Sequence, residues 1–179
     1  SNERPFFMIQ NAEIKARSAA PEQVRAILLE NGAVHKGTDL QTDIYFRVTE
    51  GRLKLRRGNI EHALIYYRRP NTAATRQSLI HLVPLTGDSS ALEALLTAVH
   101  GVRCIVSKQR DIYFIDNVKF HIDAVEGLGH FVEIEAIGQP GAAAYEQLQQ
   151  QCNHYMQLLQ IAPSDLLTHS YSDMLCGTL

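Results

Sequence analysis

Asn11-Ala12-Glu13-Ile14-Lys15-Ala16-Arg17 is the stretch on which the rest of the chain turns. Residues two apart on a strand share a face. The stretch therefore shows Ala12, Ile14 and Ala16 on one side and Asn11, Glu13, Lys15 and Arg17 on the other. Arg52-Leu53-Lys54-Leu55-Arg56 repeats the pattern with positive charge only, and Phe131-Val132-Glu133-Ile134-Glu135 repeats it with negative charge. Basic and acidic strands of this kind point to a site that holds a polyanion with its metal ions. A closed antiparallel barrel with a polar channel fits the pattern, because alternate residues of a barrel strand point inward and closure removes exposed edges. The competing architecture is an α+β sandwich with every charge on an outer, wetted face.

Working outward, residues 6–17 read as the first strand, and Pro21 opens a helix that Asn31-Gly32 stops. Val24, Ile27 and Leu28 supply that helix with an apolar stripe. Strands over 43–48, 52–56 and 62–69 follow, joined by turns at Glu50-Gly51 and Gly58-Asn59, and form an antiparallel meander. Residues 76–82 read as another strand and 84–90 as a linker whose Asp88 or Ser89 caps the next helix. Leu92, Leu95, Leu96 and Val99 are the expected buried face of that helix. Segments 102–108 and 111–116 flank an expected turn, and strands over 118–125 and 130–137 follow. Residues 138–141 break the pattern before a long helix to about residue 159, with Tyr145, Leu148, Cys152, Tyr155 and Leu159 near one side. Pro163-Ser164-Asp165 begins a short terminal turn. No linker divides the chain convincingly, so one domain over 1–179 is expected.

The 179 residues, 45% hydrophobic and 20% charged, suit an ordinary globular domain. A net charge of -2 supplies no global field to recruit nucleic acid. Positive charge is patterned instead, which favours a small anion over a long backbone. Cys104, Cys152 and Cys176 show neither metal-binding spacing nor a disulfide framework, so three free thiols in a reducing cytoplasm are expected. No apolar run reaches membrane-span length and no signal peptide is visible; Ser1-Asn2 reads as a cloning remnant.

Glu13, Glu133 and Glu135 are candidate ligands for a hard divalent cation such as Mg²⁺, with Asp123 able to join from a neighbouring strand. Like carboxylates resist ionising together unless a cation separates them. Lys15, Arg52, Lys54, Arg56, Arg68, Arg76, Lys108 and Arg110 form the basic group, in which arginine offers a fork to phosphate oxygens and lysine a mobile point charge. The two groups explain each other, since either alone would repel itself inside a small barrel. No Gly-rich phosphate loop is present, which argues against a P-loop fold. Histidines 62, 81, 121 and 130 are expected to be polar strand or turn residues rather than zinc ligands.

At these residues the chain resembles the CYTH superfamily, the triphosphate tunnel metalloenzymes named for bacterial class IV adenylate cyclase and thiamine triphosphatase. Asn11-x-Glu13-x-Lys15 stands where the family has E-x-E-x-K, with an amide at the first acidic position. Asp43-Ile44-Tyr45-Phe46, Gly51-Arg52-Leu53-Lys54-Leu55-Arg56, Tyr67-Arg68-Arg69-Pro70 and Lys108-Gln109-Arg110 follow in family order. So do Asp123-x-Val125-x-Gly127-Leu128-Gly129 and Phe131-x-Glu133-x-Glu135, and Ser170-Tyr171-Ser172-Asp173-Met174-Leu175 is similar to the cyclase-like branch. The resemblance implies an α+β fold: a closed, mainly eight-stranded antiparallel barrel, or triphosphate tunnel, with outer helices. It implies that triphosphate binds inside with Mg²⁺ or Mn²⁺, the metal held by Glu13, Glu133 and Glu135 with Asp123 as an addition. Lys15, Lys54, Arg56, Arg68, Lys108 and Arg110 would grip phosphate, joined by Arg52 and Arg76. Glu13, Lys15, Glu133 and Glu135 would form the catalytic set, with Tyr45 and Tyr66 either lining or ordering the tunnel or, as the commoner role of such residues, packed in the core.

Three activities share that charge shell. The first is cyclase-like conversion of ATP to cyclic AMP and pyrophosphate, favoured by the resemblance at both chain ends. The second is hydrolysis of inorganic triphosphate, thiamine triphosphate or a nucleotide. The third is non-catalytic triphosphate sensing, to which the amide of Asn11 lends weight. The expected partner is ATP or another triphosphate, with no nucleic acid or membrane; a homodimer is left open.

Overall fold

The charged and apolar stripes alternate along eight strands that close on themselves. A computed structural model describes residues 8–68 and 70–178. The strands are β1 (Met8–Arg17), β2 (Val34–Phe46), β3 (Arg52–Arg57), β4 (His62–Arg68), β5 (Arg76–Pro84), β6 (Val102–Ile115), β7 (Val118–Val125) and β8 (Gly129–Gly138). The helices are α1 (Pro21–Glu30), α2 (Ser90–His100), α3 (Ala142–Leu158) and α4 (Tyr171–Cys176), with a 3₁₀ turn at Pro163–Asp165. Around the barrel the order is β1-β5-β4-β3-β2-β6-β7-β8, and every neighbouring pair is antiparallel. The closed eight-stranded barrel with outer helices is therefore found as expected. Residues 6, 7 and 69 of the expected strands, and Ser1-Asn2, lie outside the described residues.

The apolar side of each key strand faces outward, where helices cover it. Ala12, Ile14 and Ala16 of β1 join Val132, Ile134 and Ala136 of β8 and Phe120 and Ile122 of β7 in one core. Helices α1 and α3 close that core with Val24, Leu28, Leu148 and Cys152. On the far side Leu55 of β3 and Ile44 and Phe46 of β2 pack under Leu96 of α2. Burying the larger of these side chains, the valines, leucines, isoleucines and phenylalanines, contributes about 1.5–3 kcal/mol each. With the apolar faces turned to the helices, the period of two leaves the polar faces no place but the interior. Gly51 makes the turn into β3 with φ 70°, and a Cβ there would stand 2.7 Å from the Tyr67 carbonyl oxygen.

Four expectations are corrected. Strand β2 begins at Val34, nine residues before the expected start at 43, because its inward residues are themselves polar (Asp39, Gln41) and mimic a loop. Strand β6 runs unbroken from Val102 to Ile115; the expected turn at Gln109-Arg110 is instead a place where Arg110 faces the buried interior. On α2 only Leu96 is buried, with Leu92 partly so, while Leu95 and Val99 are 60% and 68% exposed. The helix meets the barrel through Leu96 and Leu92, packed on Ile44, Phe46 and Leu55, and the rest of its apolar arc faces away. Finally, Cys104 and Cys176 form a disulfide across 72 residues, leaving Cys152 as the buried free thiol. The fold brings the start of β6 to the end of α4, a proximity that cysteine spacing does not encode. The argument for a reducing cytoplasm from three free thiols falls with it. No helix among the described residues is long and apolar enough to cross a membrane.

Candidate functional site

The barrel interior divides into a packed end and an open chamber. Tyr45, Cys104, Val106, Val125, Phe131 and Tyr171 form an apolar plug at one end, with Met174 and Leu167 against it. Helix α4 supplies Tyr171 and is held there by the disulfide and by Asp173, which accepts from Arg52 and Arg103. Beyond the plug lies a chamber of about 130 Å³. Its walls carry six cations (Lys15, Lys54, Arg56, Lys108, Arg110, Lys119) against four carboxylates (Glu13, Glu61, Glu133, Glu135).

Most of the cations are braced from behind by buried aspartates. Asp43 accepts from Arg56 through both oxygens at 2.9 and 2.8 Å, from Lys108 at 2.8 Å, and lies 3.5 Å from Lys54. Burial alone would raise the Asp43 pKa, but Arg56, Lys108 and Lys54 together hold it well below the usual range. Lys108 is pushed down to about 7, first by burial and then by Arg56, Arg110 and Lys54, with Asp43 opposing. Asp123 is wholly buried and accepts twice from Arg110 at 2.8 Å and once from the Tyr171 hydroxyl at 2.7 Å. It stands within a possible metal group with His121 and Glu133, whose ligand atoms all lie within 4.8 Å of one another. Both its oxygens are nevertheless engaged, so its role in this geometry is to orient Arg110.

The carboxylates converge where β1 meets β8 and β8 meets β7. Glu13 sits opposite Glu135, and Lys15 opposite Glu133; His121 and Lys119 flank the two glutamates from β7. Lys15 lies 3.6 Å from Glu133 and 3.7 Å above the Tyr171 ring. Burial raises the Glu135 pKa to about 7, and Glu13, Glu133 and Glu61 add to the rise against Lys119. Burial lowers His121 to about 4, with Arg110 and Lys119 adding to it, so the imidazole is neutral. Its ring nitrogens stand 3.8 Å from Glu133 and 3.7 Å from Glu135, too far for hydrogen bonds, and both are buried without hydrogen-bond partners among the described residues. The Asn11 amide donates to Glu135, while its buried Oδ1 has no hydrogen-bond partner among the described residues. Orphaned acceptors beside a glutamate whose pKa is raised, Glu135, fit a bound cation, and the oxygen-rich donor set suits Mg²⁺ or Mn²⁺. Glu13, Glu133, Glu135, Asn11 and His121 are the residues that could hold it.

The expected phosphate residues separate by strand parity. Lys15, Lys54, Arg56, Lys108 and Arg110 all reach the chamber. Arg68 does not: Tyr67 takes the inward position, and Arg68 pairs outside with Glu50 at 2.6 Å, 63% exposed. Its assignment to phosphate is corrected on that ground, as is the tunnel-lining role of Tyr66, whose place Tyr67 takes. Arg52 is committed to Asp173 by two bonds of 3.0 and 2.9 Å, outside the chamber. Arg76 is buried, 3.5 Å from Glu13, and donates to the Thr168 carbonyl. Tyr45 lies in the plug and lines the chamber.

Several chamber residues escape sequence reasoning. Glu61 sits between β3 and β4 and meets Lys119 at 2.5 Å, Gln41 at 2.9 Å and Arg56 at 3.4 Å. Buried Asp39 places it by accepting from the backbone N–H groups of Ile60 and Glu61, each at 2.9 Å. Gly58 permits that approach, since a Cβ there would lie 2.5 Å from Asp39 Oδ1. A loop carries no periodicity from which Glu61 could be read. Lys119-x-His121-x-Asp123 does alternate, and its parity was the available clue. Among the four histidines considered, His121 alone lines the chamber.

The sequence matches the CYTH domain family over residues 10–171. The chain belongs to that family. Among solved structures it is similar to the PH1012 protein of Pyrococcus horikoshii OT3, with TM-score 0.77 and 23% identity over 91% of this chain and 98% of that one. A proposed adenylate cyclase from Vibrio parahaemolyticus gives TM-score 0.75 and 17% identity, over 92% and 97% of the two chains. A proposed adenylyl cyclase from Hippeastrum, described as having a dominant triphosphatase activity, gives 0.60 and 15% over 94% of each chain. At these identities the likeness is one of fold. Among curated proteins none matches the sequence significantly.

Proposed function

We propose that the chain, acting as one domain, binds a triphosphate with Mg²⁺ or Mn²⁺ in the chamber and converts ATP to cyclic AMP and pyrophosphate. The observation that carries the binding reading is the facing of braced cations and clustered carboxylates across one cavity. An excess of two positive charges on the walls is too small for a triphosphate alone, so a divalent cation completes the neutralisation. Lys54, Arg56, Lys108 and Arg110 hold phosphate oxygens, and Asp43 and Asp123 keep those side chains in place without reorganisation during the reaction. Lys15 serves both groups, standing between Glu133 and the Tyr171 ring. The divalent cation supplies charge neutralisation and eases formation of the attacking oxygen nucleophile. The similarity of the chain ends to the cyclase-like branch supports cyclisation.

Hydrolysis is the second reading, supported by the activity described for the Hippeastrum neighbour of the same fold. Purified protein incubated with ATP and Mg²⁺ or Mn²⁺, followed by chromatography of the products, tests both. Cyclic AMP with pyrophosphate is the expected outcome. ADP or inorganic phosphate would replace cyclisation with hydrolysis. Tight binding without turnover of ATP, inorganic triphosphate or thiamine triphosphate would leave the chain a sensor, with Asn11 in place of a carboxylate as the physical reason.

A further inference from the structure

The bond between Cys104 and Cys176 joins two elements that do different work. Cys104 belongs to β6, inside the plug, and is buried. Cys176 ends α4 and is exposed. Helix α4 is six residues long, too short to hold its shape in water by itself. Its Tyr171 nevertheless forms part of the chamber wall. Lys15 stands 3.7 Å over the Tyr171 ring, and the Tyr171 hydroxyl donates at 2.7 Å to Asp123, the carboxylate that aligns Arg110. One side chain of a short helix therefore steadies two chamber cations, and the disulfide fastens that helix to the barrel. Thiol–disulfide exchange needs a thiolate to reach one of the two sulfurs, and Cys176 stands on the solvent side.

We propose that Cys104–Cys176 is a reversible exchange site for a dithiol reductant, whose state governs the docking of Tyr171 in the chamber wall and, through it, the affinity for triphosphate. A thiolate of the dithiol attacks Cys176 Sγ; the S–S bond breaks, and Cys104 leaves with the electron pair and takes up a proton. The second thiol then attacks the reductant's own sulfur in the mixed disulfide, closing a ring and releasing Cys176. The protein gains two electrons and two protons, and the dithiol is oxidised to its cyclic disulfide. With the link gone, α4 opens locally and Tyr171 spends part of its time away from the wall. Lys15 and Arg110 then lose the ring and the hydroxyl that steady them, and a ligand must first restore both. The affinity half of the proposal rests on the triphosphate reading above; the docking half stands without it.

Amide hydrogen exchange, and calorimetric titration with inorganic triphosphate in Mg²⁺, each with and without dithiothreitol, test it. Reduction should speed exchange over residues 171–176 about tenfold while β1 and β8 stay protected. It should weaken triphosphate binding about tenfold, the loss expected if Tyr171 is docked a tenth of the time. Reoxidation by glutathione disulfide should restore both values. Cys176→Ser should show the reduced values in either condition; if it fails to fold, the native protein reduced and reoxidised decides the matter. A disulfide that resists dithiothreitol in the folded protein overturns the proposal. So do unchanged exchange and affinity once mass spectrometry shows both thiols free, and a Cys176→Ser protein that still responds to reductant. Exchange that rises equally in every strand also overturns it, since the bond would then support the whole fold rather than α4. Absence of triphosphate binding in both forms, with exchange over α4 still responding, overturns the triphosphate reading and leaves the docking half standing.

Discussion

Replacing Glu135 with Gln should make the metal-free protein more stable, an unusual result for a buried residue in the centre of a site. Burial and the nearby Glu13, Glu133 and Glu61 raise the Glu135 pKa from an ordinary 4.5 to about 7. The native state therefore binds more protons than the unfolded chain between these values, so stability falls as pH rises through that window and stays reduced above it. The rise corresponds to about 3 kcal/mol at full ionisation, an upper figure because water entering the chamber screens the carboxylates. Gln cannot ionise, yet its carbonyl still accepts from the Asn11 amide as Glu135 does now. In chelator at pH 8 the variant should melt up to about 6–12 °C above the native protein, and at pH 5 the two should nearly coincide. Saturating Mg²⁺ should narrow or reverse the gap, because only the native protein gains full stabilisation from the ion. Thermal melts at the two pH values, with chelator and with Mg²⁺, read all four quantities. Identical melting at pH 8 in chelator, or a difference independent of pH, would refute the reasoning that crowding of carboxylates destabilises the empty site.

Asp123→Asn should behave in the opposite sense, losing about 1.5–3 kcal/mol in the metal-free protein because Arg110 loses its two-oxygen partner and keeps, among the described residues, only Glu133 at 3.3 Å; denaturant melts showing a loss under 1 kcal/mol would remove its bracing role. Tyr171→Phe, deleting one hydrogen bond to the same carboxylate, should cost about 1 kcal/mol by the same measurement. Lys108, held at about 7 in the free protein, should take up about one proton when phosphate binds at pH 8, so affinity rises as pH falls from 9 toward 7. Glu135 is already mostly ionised at that pH, and titrations in buffers of different ionisation enthalpy should show the uptake vanish in Lys108→Met. Breaking the Cys104–Cys176 disulfide, which closes a 72-residue separation, should cost about 4 kcal/mol, read as a lower denaturation midpoint in reductant.

The barrel was legible because its helix-facing residues are apolar at a strict period of two: Ala12, Ile14 and Ala16, then Leu53 and Leu55, then Val132 and Ile134. Where both faces share a character, parity gives no direction. Strand β4 is apolar on both sides, and Arg68 drew a phosphate role by its charge although Tyr67 holds the inward place. Strand β2 and the middle of β6 failed for the reverse reason: Asp39, Gln41, Gln109 and Arg110 look like loop residues when their polarity in fact serves the chamber or the open outer face. The carboxylates Glu13, Glu133 and Glu135 were found from spacing alone, but the exclusion of Arg52 needed Asp173, which lies 121 residues away in sequence. Glu61 and the cysteine pair depend on the same kind of distant encounter.

Strand β1 lies between β5 and β8, and the consequence concerns how the chain comes to be folded. The contact between Asn11 and Glu135 spans 124 residues. Glu13 and Lys15 therefore wait for β8, the last strand of the barrel, before they meet Glu133 and Glu135. Pairings this remote in sequence place the domain among slow-folding topologies, because the entropy of closing long loops must be met before their contacts form. During synthesis the early strands present their charged faces to water, where charge is well solvated, while the apolar faces of β1 await β7, β8 and α3. The same alternation that builds the site thus confines the apolar surface of the unfinished barrel to one face of each such strand until its seam can close.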